Sequence, residues 1–103
     1  MNKALLYVGT ACHLCDYARE LVEAVFSNNE WTFIEVNINS SEVLREKYGE
    51  SIPVISFPSG AEKGWPFTKN QLKKMLTEEN KLSQQPNFVR KVSSLFANVM
   101  SSF

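Results

Sequence analysis

The sequence predicts an α/β domain running strand, helix, strand, helix, strand, strand, helix, with one further helix at the C-terminus. Three observations predict it. A short apolar run at 3–8 stops at Gly9 and Thr10, and from residue 12 onward the apolar positions recur at helical spacing. The run at 31–38 alternates and is rich in aromatic and β-branched residues, so the first half reads as a βαβ unit with a parallel pair and a right-handed crossover. Two later extended segments stand close together, as the arms of a hairpin do.

"KALLYV" (3–8) is the first, buried strand. In the helix that follows, Leu14, Ala18, Leu21, Val22 and Val25 fall on the apolar side and Asp16, Arg19, Glu20 and Glu23 on the other, until "SNN" (27–29) ends it. "WTFIEVNI" (31–38) is the second strand. "NSSEVLREKYG" (39–49) carries Ser and Asn caps, an apolar face of Val43, Leu44 and Tyr48, and Gly49 as a stop. "SIPVISFP" (51–58) is the third strand, and "SGAEKGW" (59–65) a turn into a short edge strand. "PFTKNQLKKMLTEEN" (66–80) is a helix capped by Thr68, with Leu72, Met75 and Leu76 on one face. Residues 1–80 thus form the domain. "KLSQQPN" (81–87) reads as a linker, and after Pro86 a stripe of Phe88, Val92, Leu95, Phe96, Val99 and Phe103 marks an amphipathic helix, with Ser93, Ser94, Ser101 and Ser102 mostly off it. That helix either packs on the same domain or serves as an interaction face.

A chain of 103 residues can bury a core without staples, and 44% hydrophobic residues with zero formal net charge are ordinary for a globular domain. The balanced charge gives no electrostatic case for nucleic acid or an anionic membrane. No apolar run approaches the roughly 18 residues a membrane span needs, and the start is too short for a secretory signal. A cytoplasmic monomer is the expectation, and in that compartment a close cysteine pair is more often catalytic or metal-binding than a structural bridge.

Both cysteines lie in one C-x-x-C, Cys12 and Cys15. They can be a redox couple, half of a metal or iron–sulfur site, or two inert thiols. A helix opening at Cys12 would surround its sulfur with unpaired backbone N–H groups and the positive dipole end, which favour the thiolate. Cys15, one turn further in, should be less exposed and placed to attack a mixed disulfide at Cys12, so that Cys12 attacks and Cys15 resolves. His13 and Leu14 between them tune the couple: a cationic fraction of His13 would stabilise the thiolate, and Leu14 adds apolar contact area. Two thiolates with His13 fall short of the four ligands of a closed zinc site, so no metal is expected within one chain. A redox-sensing adaptor is the other alternative. Ile52-Pro53 is the second constellation. An X-Pro bond costs little in the cis form, and a cis bond there would turn the Ile52 backbone toward an incoming chain.

A strand, a C-x-x-C opening a helix, and an isolated Ile-Pro-Val before a later strand together resemble the thioredoxin superfamily. "CHLCDYARELVE", "EVNINSSEVLREKYGESIPVI" and "WPFTKNQLKKML" are most similar to glutaredoxin-like proteins, a compact bacterial glutaredoxin 2-like group, over roughly residues 3 to 78. The resemblance implies a thioredoxin-like fold, a cis bond before Pro53, thiol–disulfide exchange through Cys12 and Cys15, and substrate contacts at Ile52, Pro53 and Thr10. Its substrate would be a disulfide-containing protein or a small thiol.

The departures from the usual pattern concern the reductant. Typical glutaredoxins have Pro-Tyr between the cysteines, a basic residue just before them and Gly-Gly-x-Asp after the proline strand. Here the dipeptide is His13-Leu14, residues 8–11 are Val-Gly-Thr-Ala, and "GAEKGWPFTKN" contains no aspartate. Thr68 and Asn70 are the remaining candidates for a glutathione or partner contact. Glutathione is one candidate reductant, without its usual aspartate cap here, and no other cofactor is implied.

Overall fold

The computed structural model describes residues 2–83. Strand β1 (Lys3–Val8) runs parallel to β2 (Thr32–Asn37), in register from Lys3 opposite Thr32 to Val8 opposite Asn37. On its other side β1 meets β3 (Val54–Ser56) antiparallel, with Tyr7 opposite Val54. β4 (Glu62–Gly64) pairs antiparallel with β3, giving the order β2-β1-β3-β4. With three helices this is the mixed α/β, thioredoxin-like arrangement that the order of elements in the sequence predicts.

Alternation along β1 assigns the two faces. Ala4, Leu6 and Val8 are buried on one of them with Ile55 and Phe57. Helix α1 (His13–Ser27) lays Cys15, Ala18, Val22, Val25 and Phe26 on this face, and α3 (Lys69–Ser83) adds Leu72 and Leu76. Fully burying each of the Val, Leu, Ile and Phe side chains among these contributes about 1.5–3 kcal/mol. Trp31 and Phe57 pack edge-on at 5.8 Å beside Phe26 and close the bottom of this core. The opposite face has a smaller cluster. Ile38, Tyr48 and Val54 are buried there, with Tyr7, Leu44 and Ile52 against them, under α2 (Glu42–Tyr48).

Local chemistry sets the boundaries. The side-chain amides of Asn28 and Asn29 donate to the carbonyls of Ala24 and Val25 and so close α1, and Glu30 turns the chain through a left-handed φ of 60°. Ser41 caps α2 through the Leu44 N–H. Gly49 ends α2 without a left-handed turn, and a Cβ there would run into the Arg45 carbonyl oxygen. α3 opens on a reciprocal capping box: the Thr68 N–H donates to Gln71 Oε1 at 2.9 Å and the Gln71 N–H to Thr68 Oγ1 at 3.1 Å.

Several boundaries and faces differ from the expectation. The third strand is confined to 54–56, because Pro53 offers no N–H and the Phe57 N–H already turns to the Ala61 carbonyl. The linker does not begin at Lys81: α3 continues through Ser83, whose hydroxyl bonds the Asn80 carbonyl, and Lys81 pairs with Glu78 one turn back. Leu14 is 47% and Val43 71% exposed. Cys15, Ala18 and Val22 carry the buried stripe of α1, and Leu14 lies a third of a turn off it. The C-terminal helix over 87–103 lies outside the described residues.

Two polar contacts lock the layers. Buried Glu79 on α3 accepts from the Ser59 N–H at 3.2 Å and from the Ser59 hydroxyl, tying the helix to the β3–β4 turn. Tyr48 stacks on Tyr7 at 4.3 Å and donates its hydroxyl to Glu62 at 2.5 Å. Glu79→Ala is expected to cost about 1–2 kcal/mol, read as a lower urea midpoint with an unchanged slope. Burial first, and the bond to the Glu62 carboxylate second, push the Tyr48 phenol above its ordinary value. A raised acid stabilises the fold below the unfolded value of about 10 and loses that contribution as pH climbs above it. Tyr48→Phe should therefore flatten the alkaline loss of stability, checked by urea titrations between neutral pH and pH 11.

Candidate active site at the start of α1

The chain leaves β1 at Val8 and must reverse into α1 within four residues. Gly9 permits a close approach: a Cβ there would stand 2.5 Å from Ile52 Cδ1. Thr10 Oγ1 accepts from Asn37 Nδ2 at 3.3 Å and from Asn39 Nδ2 at 3.1 Å, which fastens this loop to the end of β2. Ala11 then adopts a left-handed φ of 53°, a conformation that costs an L-residue about 1–2 kcal/mol. Cys12 follows in extended conformation as the N-cap.

Cys12 Sγ accepts the Cys15 N–H at 3.1 Å, in the role a serine or aspartate oxygen usually plays. An N–H aimed at sulfur at the positive end of a 15-residue helix favours thiolate over thiol. The two sulfurs meet as a disulfide, with Cα atoms 5.2 Å apart. Their surroundings differ. Cys15 is 1% exposed among core residues, whereas Cys12 is half-buried at the edge of that core.

His13 and Leu14 lie exposed on the first turn, and Tyr17 beside them is 61% exposed. Leu14 and Tyr17 make an apolar shoulder next to Cys12 that sequence reasoning saw only in part. Tyr17 is one helical turn from Leu14, and that spacing was the available signal. Asp16, the chain's only aspartate, bonds Arg19, which also pairs with Glu35 on β2. These two carboxylates raise the Arg19 guanidinium above its ordinary value, Glu35 most strongly, and hold it protonated.

The loop before β3 meets the β1–α1 loop at Gly9, through Ile52 Cδ1. The Ile52–Pro53 peptide is cis and Pro53 is fully buried. Ile52 packs against both hydrophobic clusters, bridging the sheet's two faces where the Cys12 loop ends. Among the described residues no hydrogen bond engages the Ile52 backbone. Trp65, absent from the sequence-based set, donates its N–H to the Pro53 carbonyl at 2.9 Å and precedes a second cis bond, to Pro66. Its half-buried ring meets Phe67 edge-on at 5.1 Å and borders the same core edge as Cys12 and Ile52. Thr68 and Asn70 are exposed at the start of α3, and the amide and hydroxyl of Thr68 are engaged by Gln71. Among the described residues no three of His, Cys, Asp or Glu are grouped to hold a metal ion.

A β1–loop–α1 unit that presents one half-buried and one buried cysteine, in a chain with a cis-proline just before β3, defines a thioredoxin-fold protein with a redox-type site. Residues 3–77 match the glutaredoxin-like domain (DUF836), and the chain belongs to that family. It is similar to protein XcR50 from X. campestris, whose X-ray and solution structures each share 33% identity over 73% of this chain, with TM-scores of 0.64. The match covers 96% and 92% of those chains. Thioredoxin 1 from Thermosipho africanus superposes with a TM-score of 0.62 over 81% of this chain and 99% of its own, at 9% identity, a likeness of fold. No curated protein matches the chain.

Ala11 supplies a test of the loop. Ala11→Gly should relieve the roughly 1–2 kcal/mol that an L-residue carries at this φ, whereas Ala11→Val, β-branched at positive φ, should be less stable than both that variant and the wild type. Thermal unfolding of the two variants checks the difference.

Proposed function

We propose that the protein is a thiol–disulfide oxidoreductase in which Cys12 is the nucleophile and Cys15 the resolving thiol. The observation that supports this most is the asymmetry of the pair: the accessible sulfur is the one that receives an N–H at the helix terminus, and the buried sulfur stands behind it.

In the reduced protein the Cys12 thiolate attacks one sulfur of a substrate disulfide. A Cys12–substrate disulfide forms, and the other substrate sulfur leaves as a thiolate that takes up a proton. Cys15 then loses its proton and attacks Cys12 Sγ, forming the Cys12–Cys15 disulfide and releasing the second substrate thiol. The substrate has gained two electrons and the protein has lost two. A thiol donor returns them by the same steps in reverse.

Ile52 packs its side chain at Gly9 of the Cys12 loop, and its backbone makes no hydrogen bond among the described residues. That backbone suits an extended peptide, which would pair with it while its disulfide meets the sulfur. The Leu14–Tyr17 shoulder adds apolar area for such a partner. Both features favour a protein disulfide over a small one. The usual aspartate for glutathione is missing, and Thr68, at the start of α3, is held by its own capping box, so a protein thiol is the favoured donor.

Cys12→Ser should abolish disulfide reduction in an assay with a protein disulfide and excess dithiol. Pre-reduced Cys15→Ser, mixed with the protein disulfide in the absence of dithiol, should instead accumulate a mixed disulfide at Cys12, visible as a reducible mass adduct. Full turnover by Cys12→Ser would remove the proposal.

A further inference from the structure

Two anions compete for one end of α1. The Cys15 N–H and the positive end of the helix favour a thiolate at Cys12, and the Asp16 carboxylate lies in the same first turn. The Asp16 N–H donates to the Cys12 carbonyl at 3.2 Å, the four-residue step that brings side chains one above the other. An aspartate at this place suits the helix, but its charge disfavours a second negative charge on the sulfur.

Arg19 resolves that conflict. Its guanidinium donates to Asp16 Oδ1 at 2.9 Å and, through two further nitrogens, to both oxygens of Glu35, with Nη2 to Oε1 at 3.0 Å. Glu35 stands opposite Leu6 in register, so it rises from β2 on the face that α1 covers. A two-pronged grip from a second element fixes the arginine over the first turn of α1. Both carboxylates keep it charged wherever a thiol titrates.

Few other charges surround the sulfur. The loops 9–11, 51–53 and 65–68 carry no ionisable side chain, and Thr10 is held by the neutral amides of Asn37 and Asn39. Glu50 precedes the second of these loops and Lys69 follows the third. His13 on the same turn and Cys15 behind it are the remaining titrating groups. All four are common to the variants compared below, so differences among those variants do not come from them.

We infer that Arg19 sets the thiolate fraction of Cys12 by cancelling the charge of Asp16, and that Glu35 holds it in place to do so. The inference rests on Cys12 being the nucleophile. Arg19 acts on the sulfur through Asp16 and is a positioning residue. Without it, an unpaired carboxylate about 6 Å away would raise the Cys12 titration by about half a pH unit at low ionic strength. A rate at one pH understates this, because intrinsic nucleophilicity rises with pKa and offsets about half of the lost thiolate. The midpoint of the pH profile is the cleaner measure.

The test follows alkylation of Cys12 by iodoacetamide in the reduced full chain, from about pH 5 to pH 10 at roughly 10 mM ionic strength, with each cysteine read by mass spectrometry. Arg19→Met should raise the midpoint by about half a unit, and adding Asp16→Asn to it should restore the wild-type value. Arg19→Lys, which keeps the charge, should leave the midpoint in place, and about 1 M salt should abolish the Arg19→Met shift. Ion pairs as exposed as these contribute little to stability, so the variants are expected to fold. An unchanged midpoint in Arg19→Met would overturn the inference. So would a shift that persists in the double variant, the mark of a mere tie between α1 and β2. In either case a Cys12 that still reacts faster than Cys15 leaves the proposed function standing, so the two failures are told apart.

Discussion

The hydrogen bond from the Cys15 N–H to Cys12 Sγ is the interaction around which the functional end of the molecule is arranged. A sulfur can cap α1 only if the chain arrives extended at Cys12, and it arrives that way because Ala11 takes the left-handed turn. That turn is held from the side by Thr10, through Asn37 and Asn39, at the end of the parallel neighbour β2. The parallel β1–β2 pair therefore does more than build the sheet: it brings the two anchoring amides to the loop that aims the cysteine.

The same economy governs the loop before β3. Ile52 belongs to both hydrophobic clusters, so its position is set by packing on both sides of the sheet. Gly9 leaves room for its δ-methyl, and the Trp65 N–H fixes the Pro53 carbonyl from the edge strand. A site walled by residues that the core itself positions is rigid without a network of its own. Tyr48 and Glu79 extend this logic away from the cysteines, each carrying a polar group across a layer boundary to one partner.

Much of this was legible in the sequence because period and punctuation are local properties. The alternation of 31–38, the helical spacing after Cys12 and the Thr68 cap each depend on residues within a turn or two of one another. The C-x-x-C was legible for the same reason. What escaped detection depended on contacts far apart in the chain. Trp65 gains its place from Pro53 twelve residues earlier, and Ser59 is held by Glu79 twenty residues later. The shortness of β3 follows from a turn bond between Phe57 and Ala61, in a stretch whose composition is that of a longer strand. Leu14 misled by identity: an apolar residue in the right neighbourhood of the helix stripe, it faces solvent beside the sulfur.

The account rests on Cys12 being the activated thiol and Cys15 the sheltered one. Brief alkylation of the fully reduced protein with iodoacetamide at neutral pH, with each site quantified by mass spectrometry, measures that difference directly. Cys12 should be modified first, at least about tenfold faster than Cys15, as thiolate character and exposure both require. Equal rates, or faster modification of Cys15, would contradict it.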